Sequence, residues 1–157
     1  MNLKDFDFRI WDGKKYINNI KGGVYIHKIN DYIKCLKRNQ DCYDYEFELD
    51  DLDNSNLEIE LFTGLYDKNG KKIYEGDIVS YITFQGTTLF YFVTINKDIN
   101  IFEIFRIANL EKFELYNRTE NDRFSLYLFS KINDMKDIEV IGNIHNKAEL
   151  LEVKEQK

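Results

Sequence analysis

The sequence contains no proline and little glycine, cysteine or tryptophan: its 157 residues include eight Gly, two Cys and one Trp. Without proline, turns must rely on Gly, Asn and Asp. Two cysteines, Cys35 and Cys42, are too few for a disulfide framework, so reduced thiols are expected. No apolar run approaches the roughly 18 residues of a membrane span, and residues 1–7 are too charged for a signal peptide. These absences predict a cytoplasmic protein.

Aromatic residues are abundant, with 12 Phe and 11 Tyr. Such side chains favour pleated, half-buried surfaces, so the composition predicts a mainly β fold. The length suits a single domain spanning residues 1–157, with residues 154–157 frayed. One or two short helices are predicted, the first over residues 28–38 and the second capped by Asn146.

Glycine-containing turns separate the predicted strands. Asn69-Gly70 favours a tight hairpin with positive φ at both positions, and Gly76 introduces a strand that begins near Asp77. Gln85-Gly86 predicts another turn, between residues 78–84 and 88–95. Further strands are predicted at 99–107, 124–129 and 138–144.

The net charge of −6 conceals a local concentration of acid. Residues 41–60 contain nine acidic residues and no basic one. Within this segment carboxylates alternate with apolar residues, which predicts a strand with one acidic face, followed by an acidic loop. The acidic residues of the predicted partner surface are Asp44, Glu46, Glu48, Asp50, Asp51 and Asp53. Either this face docks into a basic groove, or it is a solvated face that prevents edge-to-edge aggregation.

The predicted helix over 28–38 rests on Ile29, Tyr32, Ile33 and Leu36, which recur at helical spacing. Its polar face would be basic, and the residues assigned to this patch are Lys28, Lys34, Lys37 and Arg38. A basic patch of this kind offers a nucleic-acid contact, although the overall negative charge opposes phosphate binding.

Groups suited to catalysis are scarce. His27 and His145 are the two histidines, and each is expected in a turn or on the surface. His27, Cys35 and Cys42 lack the spacing of a zinc site and an evident fourth ligand. The lysines after Gly70 do not follow phosphate-loop spacing. We therefore expect no catalytic residues, metal or cofactor.

Three separated blocks resemble the YopX family of phage and prophage proteins. They are Phe8-Arg9-Ile10-Trp11-Asp12 with Lys15-Tyr16, the run from Thr63 to Val79, and residues 140–146 with Glu149-Leu150-Leu151. The closing block has Ala148 where the family has proline. The resemblance implies a small Src-homology-3-like barrel with an insertion at residues 18–60, and a phage or prophage origin. It implies no activity. The residues interpreted as fold determinants are Trp11, Thr63, Gly64, Asn69, Gly70, Gly76, Asp77, Gly142 and Asn143.

Together these features predict a non-enzymatic module that binds a host or phage protein. In the sharper hypothesis the partner is a defence nuclease with a basic groove, inhibited in the manner of an anti-CRISPR protein. A nucleic-acid-binding accessory protein and an unrecognised enzyme are the alternatives. Direct nucleic-acid binding and membrane association are not expected, and self-association is left open because sequence does not separate core from exposed aromatics.

Overall fold

The structure is a computed structural model that describes residues 2–17, 24–38, 49–51, 56–116, 123–132 and 135–146. The strands are β1 (Phe8–Trp11), β2 (Val24–Ile29), β3 (Tyr32–Arg38), β4 (Leu49–Asp51), β5 (Glu58–Tyr66), β6 (Lys72–Tyr74), β7 (Asp77–Ile82), β8 (Thr88–Asn96), β9 (Ile101–Asn109), β10 (Glu114–Leu115), β11 (Arg123–Ser125) and β12 (Ile138–Asn143). The helix α1 spans Leu126–Ile132, and short 3-10 helices span Leu3–Asp5 and Met135–Asp137. The chain divides into two compact units, the first comprising 1–6 and 61–157 and the second comprising 7–60.

A six-stranded antiparallel sheet organises the first unit. Five of its strands follow the order β10-β9-β8-β7-β12. The sixth strand, β11, also pairs with β9, at residues 103–105, whereas β10 pairs with residues 107 and 109. Buried aliphatic residues of β7, β8, β9 and β12 form the core together with Phe129 of α1, whose ring meets Tyr91 edge-on at 5.0 Å. Ser125 caps α1, because its Oγ accepts a hydrogen bond from Leu128 N at 3.1 Å.

The pairing of β5 with β6 in this unit contains a register shift at Gly64. Phe62 pairs with Tyr74 and Tyr66 pairs with Lys72, so β5 holds two extra residues between these pairs. Gly64 lies there with φ 85°, a conformation that residues with a Cβ rarely adopt.

The second unit has its own sheet, in the order β2-β3-β4. Its core consists of Ile10, Ile17 and Cys35, against which Phe8 and Leu57 pack. β1 lies beside β5, whose first three residues belong to this unit. The unit begins at Asp7, whereas the insertion was predicted to begin at residue 18; both end at residue 60.

The mainly β class is confirmed, but the barrel is wrong. Among the described strands, β10 and β12 lie at the two ends of the large sheet and do not pair with each other, so the sheet stays open. The strand predicted at 124–129 is also wrong in part, since the chain turns into α1 directly after Ser125. The helix predicted after Asn146 falls outside the described residues.

The predicted basic helix over residues 28–38 is wrong as well. These residues form most of the β2–β3 hairpin, which turns at Asn30-Asp31 with Asn30 at φ 51°. Asn tolerates this left-handed conformation, and the β-branched and aromatic residues on either side suit strands. The apolar spacing at Ile29, Tyr32, Ile33 and Leu36 thus arises from two strands joined by a turn.

Candidate functional site

The β2–β3 hairpin presents two faces with different chemistry. Cross-strand partners share a face, so Ile26 and Lys28 lie with Cys35 and Ile33 on one side. The other side carries the remaining described pairs, which are Tyr25 with Leu36 and His27 with Lys34. Cys35 and Leu36 are buried, while most of the other side chains in these pairs are exposed.

Two of the basic residues assigned to one helical face, Lys28 and Lys34, lie on opposite faces of the hairpin, because Lys28 pairs with Ile33 and the next residue points the other way. Lys37 and Arg38 belong to β3 as well. Because the segment forms strands and not the predicted helix, Lys28 and Lys34 do not share one basic surface.

The predicted acidic strand is described only at its end. Asp50 and Asp51 belong to β4, although Asp51 was predicted in a loop. In register, Asp50 pairs with Lys37 and Asp51 with Leu36. Asp44, Glu46, Glu48 and Asp53 fall outside the described residues. Among the described strands, β4 lies at the end of its sheet, and its position beside β3 brings acidic and basic sequence positions into neighbouring strands.

Large apolar side chains of the hairpin are exposed to solvent. Tyr32 and Ile33 are 59% and 57% exposed, and Tyr25 and Ile26 are also exposed. Tyr25 and Tyr32 lie on one face of the hairpin, and Ile26 and Ile33 lie on the other. We call these four exposed side chains, on both faces together, the hairpin surface. Lys34 Nζ lies 5.6 Å from the centroid of the Tyr32 ring, within the range of a cation–π contact. Ile26 and Ile33 further line a small pocket of about 120 Å³ with Ile10, Cys35, Leu57 and Ile59.

A polar cluster in the opening block supports β1. Arg9 Nε donates to Glu60 Oε2 in an ion pair whose side chains are both about nine-tenths buried or more. Tyr16 Oη donates to the same oxygen at 3.0 Å, and the Arg9 guanidinium lies over the Tyr16 ring at 4.7 Å. Trp11 meets Tyr16 edge-on at 5.1 Å. The cluster holds the ends of this block together and presents no reactive arrangement.

Asp67 is a buried residue whose role the sequence analysis missed. Its Oδ1 accepts hydrogen bonds from Asn69 N at 2.8 Å and Lys71 N at 2.9 Å, and its Oδ2 accepts one from Val140 N at 3.0 Å. Burial raises the pKa of this carboxyl, but the three backbone donors outweigh burial and hold the pKa below its usual value. The Asp-x-Asn-Gly order, which places an acceptor two residues before a turn donor, is the signal that identifies this residue.

The turn after Asp67 differs from the predicted one. Gly70 has φ 77°, but Asn69 does not have a positive φ. The turn is therefore not the predicted type, which requires a positive φ at both central residues. Gly70 N donates to Asp67 O at 3.0 Å, and Asp67 N donates to Lys71 O at 2.8 Å. This is a turn closed by a left-handed glycine, with the Asp67 side chain inside it.

The other predicted fold determinants lie at turns and sheet irregularities. Asp77 is 1% exposed, and its Oδ2 accepts from Tyr74 N at 2.8 Å. Gly76 N donates to Val93 O, and Thr63 Oγ1 donates to Ile73 O, both at 2.8 Å. Gly142 follows a register shift between β12 and β7, and the buried Asn143 accepts from His145 N at 2.9 Å.

The residues weighed for catalysis or metal binding do not converge in the second unit. His27 and Cys35 lie on opposite faces of the hairpin, since Cys35 pairs with Ile26, the residue before His27. Burial also raises the pKa of the Cys35 thiol, which disfavours the thiolate that metals and nucleophilic chemistry require. Cys42 is outside the described residues. Across the described segments, no helix has the length and apolar content needed to span a membrane.

Comparisons with known proteins identify a similar solved structure and the family of this chain. No curated protein matches the chain. A solved structure, protein EF1440 from Enterococcus faecalis, is similar over 93% of this chain and 97% of its own, with 22% sequence identity and a TM-score of 0.51. This similarity concerns the fold alone. The family model described as YopX protein matches residues 7–152, nearly the whole length, and the chain therefore belongs to the YopX family.

Proposed function

We propose that the protein is a non-enzymatic interaction module that binds another protein, encoded by the host or by a phage, through the hairpin surface. The observation that supports this function is the exposure of four large apolar side chains on one hairpin, Tyr25 and Tyr32 on one face and Ile26 and Ile33 on the other. Clustered exposed apolar side chains in a folded domain mark interaction surfaces, and aromatic residues are enriched where binding energy concentrates.

The sharper form names a host defence nuclease as the partner. Nine acidic residues without a basic one between positions 41 and 60 would complement a basic nucleic-acid groove. Asp50 and Asp51 place the end of this segment on β4, next to β3. Apolar contacts from the hairpin surface would then supply affinity, while the acidic segment would accelerate association in a salt-dependent manner. Charge on an end strand that only prevents aggregation is the competing interpretation.

One observation favours nucleic acid as a second candidate partner. Tyr25, His27 and Lys34 share a face of the hairpin, and the ring of Tyr32 lies by Lys34. Exposed tyrosines beside cationic groups suit base stacking. The net charge of −6 weakens this candidate, because contact with phosphates depends on local neutralisation.

The test is affinity capture from nuclease-treated host lysate at low and high salt, followed by measurement of binding with the purified partner. One variant carries Tyr32→Ser and Ile33→Ser. A second neutralises the predicted acidic face with Asp44→Asn, Glu46→Gln, Glu48→Gln and Asp50→Asn. The controls are Phe84→Ser, which removes a 96% exposed aromatic of the first unit, and the combined changes Asp98→Asn, Glu111→Gln, Glu114→Gln and Asp137→Asn, which neutralise four exposed carboxylates there.

The proposal predicts a partner that is lost with the hairpin variant and kept with Phe84→Ser. If the partner is a nuclease, the acidic variant loses binding mainly at low salt, and the matched neutralisation of the first unit does not. Equal recovery from all variants would overturn the assigned surface. Retention of a labelled single-stranded oligonucleotide, abolished in the hairpin variant, would instead support the nucleic-acid candidate.

A further inference from the structure

The first unit contains a pocket of about 310 Å³ in addition to its packed core. Its walls come from β5, from the start of β9 with the preceding turn, and from α1. The lining residues are Thr63, Leu65, Asn100, Ile101, Phe102, Leu126, Tyr127 and Ser130. This volume lies at the lower end of the range for pockets that hold small molecules, so it suits a compact ligand.

Two hydroxyls in the wall, those of Thr63 and Ser130, already have intramolecular partners. Thr63 Oγ1 donates to Ile73 O at 2.8 Å and accepts from Leu65 N at 3.2 Å. Ser130 Oγ donates to Tyr127 O at 2.6 Å. A ligand inside the pocket therefore gains little from these hydroxyls, while the aliphatic and aromatic side chains offer contact area. The body of a suitable ligand is apolar.

A positive charge lies beside one of the lining residues. Tyr127 is 71% exposed, and Lys131, one helical turn further along α1, places its Nζ 5.3 Å from the centroid of the Tyr127 ring. None of the eight lining residues in the described part of the chain is charged. A ligand whose apolar body fills the pocket can therefore direct an anionic group toward Lys131 without facing a carboxylate in the lining.

From this geometry we propose that the pocket binds a small apolar carboxylate, with the hydrocarbon part against Leu65, Phe102 and Leu126 and the carboxylate beside Lys131. The inference is independent of the proposed interaction function, because the pocket and the hairpin surface belong to different units. The ligand class follows from a largely apolar lining combined with the Lys131 ammonium group beside the lining residue Tyr127.

The experiment is a titration of the ¹⁵N-labelled full chain with octanoate, octanol and octylamine, which share one apolar body and differ in charge. We expect saturable amide shifts at residues 63–65, 100–102 and 126–131, with octanoate binding about two- to fivefold more tightly than octanol, as for an exposed charge contact. Octylamine is expected to bind most weakly, because its ammonium group meets Lys131.

Two variants separate the contributions. Lys131→Gln should abolish the preference for octanoate over octanol while leaving octanol binding unchanged. Tyr127→Ser should weaken both ligands, and its far-ultraviolet circular dichroism should remain that of the wild type because Tyr127 is exposed. Absence of saturable shifts, shifts at the 120 Å³ pocket of the second unit alone, or equal affinity for octanoate and octylamine would overturn the proposal.

Discussion

The family motif blocks and the β2–β3 hairpin distribute polar and apolar groups in opposite ways. In the motif blocks, Asp67 and Asp77 are buried and accept hydrogen bonds from the backbone, and the buried Glu60 accepts one from Tyr16 of the opening block. In the hairpin, Tyr32 and Ile33 are exposed although they are large and apolar. Burial of a carboxylate requires satisfied partners, and exposure of apolar area gives up stabilisation. The motif blocks thus contribute buried polar groups to the fold, and the hairpin carries the exposed apolar groups that we propose for binding.

The Arg9–Glu60 ion pair provides the largest expected effect on stability. Arg9→Met leaves the Glu60 carboxylate buried without its cation, and we expect a loss of about 3 kcal/mol or more in the free energy of unfolding. The fluorescence of Trp11, the one tryptophan, follows unfolding of this unit in denaturant. The double variant with Glu60→Leu should recover most of the loss. A double variant as unstable as the sum of the two single variants would contradict this account.

Asp67→Ala tests the same contrast in the first unit. Three backbone donors lose their acceptor, one of them at the buried Val140 N, so we expect a loss of about 2 to 3 kcal/mol. Asp67→Asn retains one carbonyl acceptor and should cost less. Chemical denaturation followed by circular dichroism measures both, with Asp98→Ala as an exposed control. A loss no greater than that of the control would show that the turn does not depend on this carboxylate.

The pH dependence should also distinguish Asp67 from exposed carboxylates. Its pKa is lowered in the folded protein, so its contribution is fully present above the unfolded value of about 3.9 and is lost as pH falls through the lower folded value. Stability measured from pH 6 downward should therefore fall more steeply in the wild type than in Asp67→Asn. Parallel curves for the two proteins would contradict the assigned role.

The smallest stability effect is expected in the hairpin surface. Tyr32→Ser and Ile33→Ser each remove an exposed side chain, so we expect changes within about 0.5 kcal/mol. Partner binding, by contrast, should fall at least tenfold if these residues anchor the interface. Thermal unfolding of each variant beside its binding isotherm measures both quantities. A large loss of stability would show that these residues support the fold, as Asp67 and Asp77 do, and would contradict their assignment to a binding surface.

The sequence predicted the local turns better than the longer-range arrangement. Gln85-Gly86 was correctly placed between β7 and β8, because its turn signal lies within a few residues. The spacing of Ile29, Tyr32, Ile33 and Leu36 was misleading, since a two-residue turn within a short apolar run imitates a helical period. The open sheet was not predicted because closure depends on which strands meet, and local patterning does not encode this.

Local sequence signals likewise reveal some residues of the candidate sites and not others. The exposure of Tyr32 and Ile33 was not predictable, because an apolar strand residue has the same local pattern whether it meets a core or solvent. The octanoate-sized pocket combines residues 63–65, 100–102 and 126–130, which are distant in sequence. Asp67, in contrast, carried a usable local signal through its distance from Asn69 and Gly70.

The link between Asp67 and Val140 joins residues 73 positions apart, and Lys68 N donates to Ile138 O at 2.8 Å beside it. β12, which receives this link, also pairs with β7 across about 60 residues. Pairing across such distances closes large loops before it gains contacts, which slows folding. A ribosome-bound chain that has not yet exposed residues 138–143 therefore leaves the β7 edge open, and the first unit completes its folding only after that strand emerges.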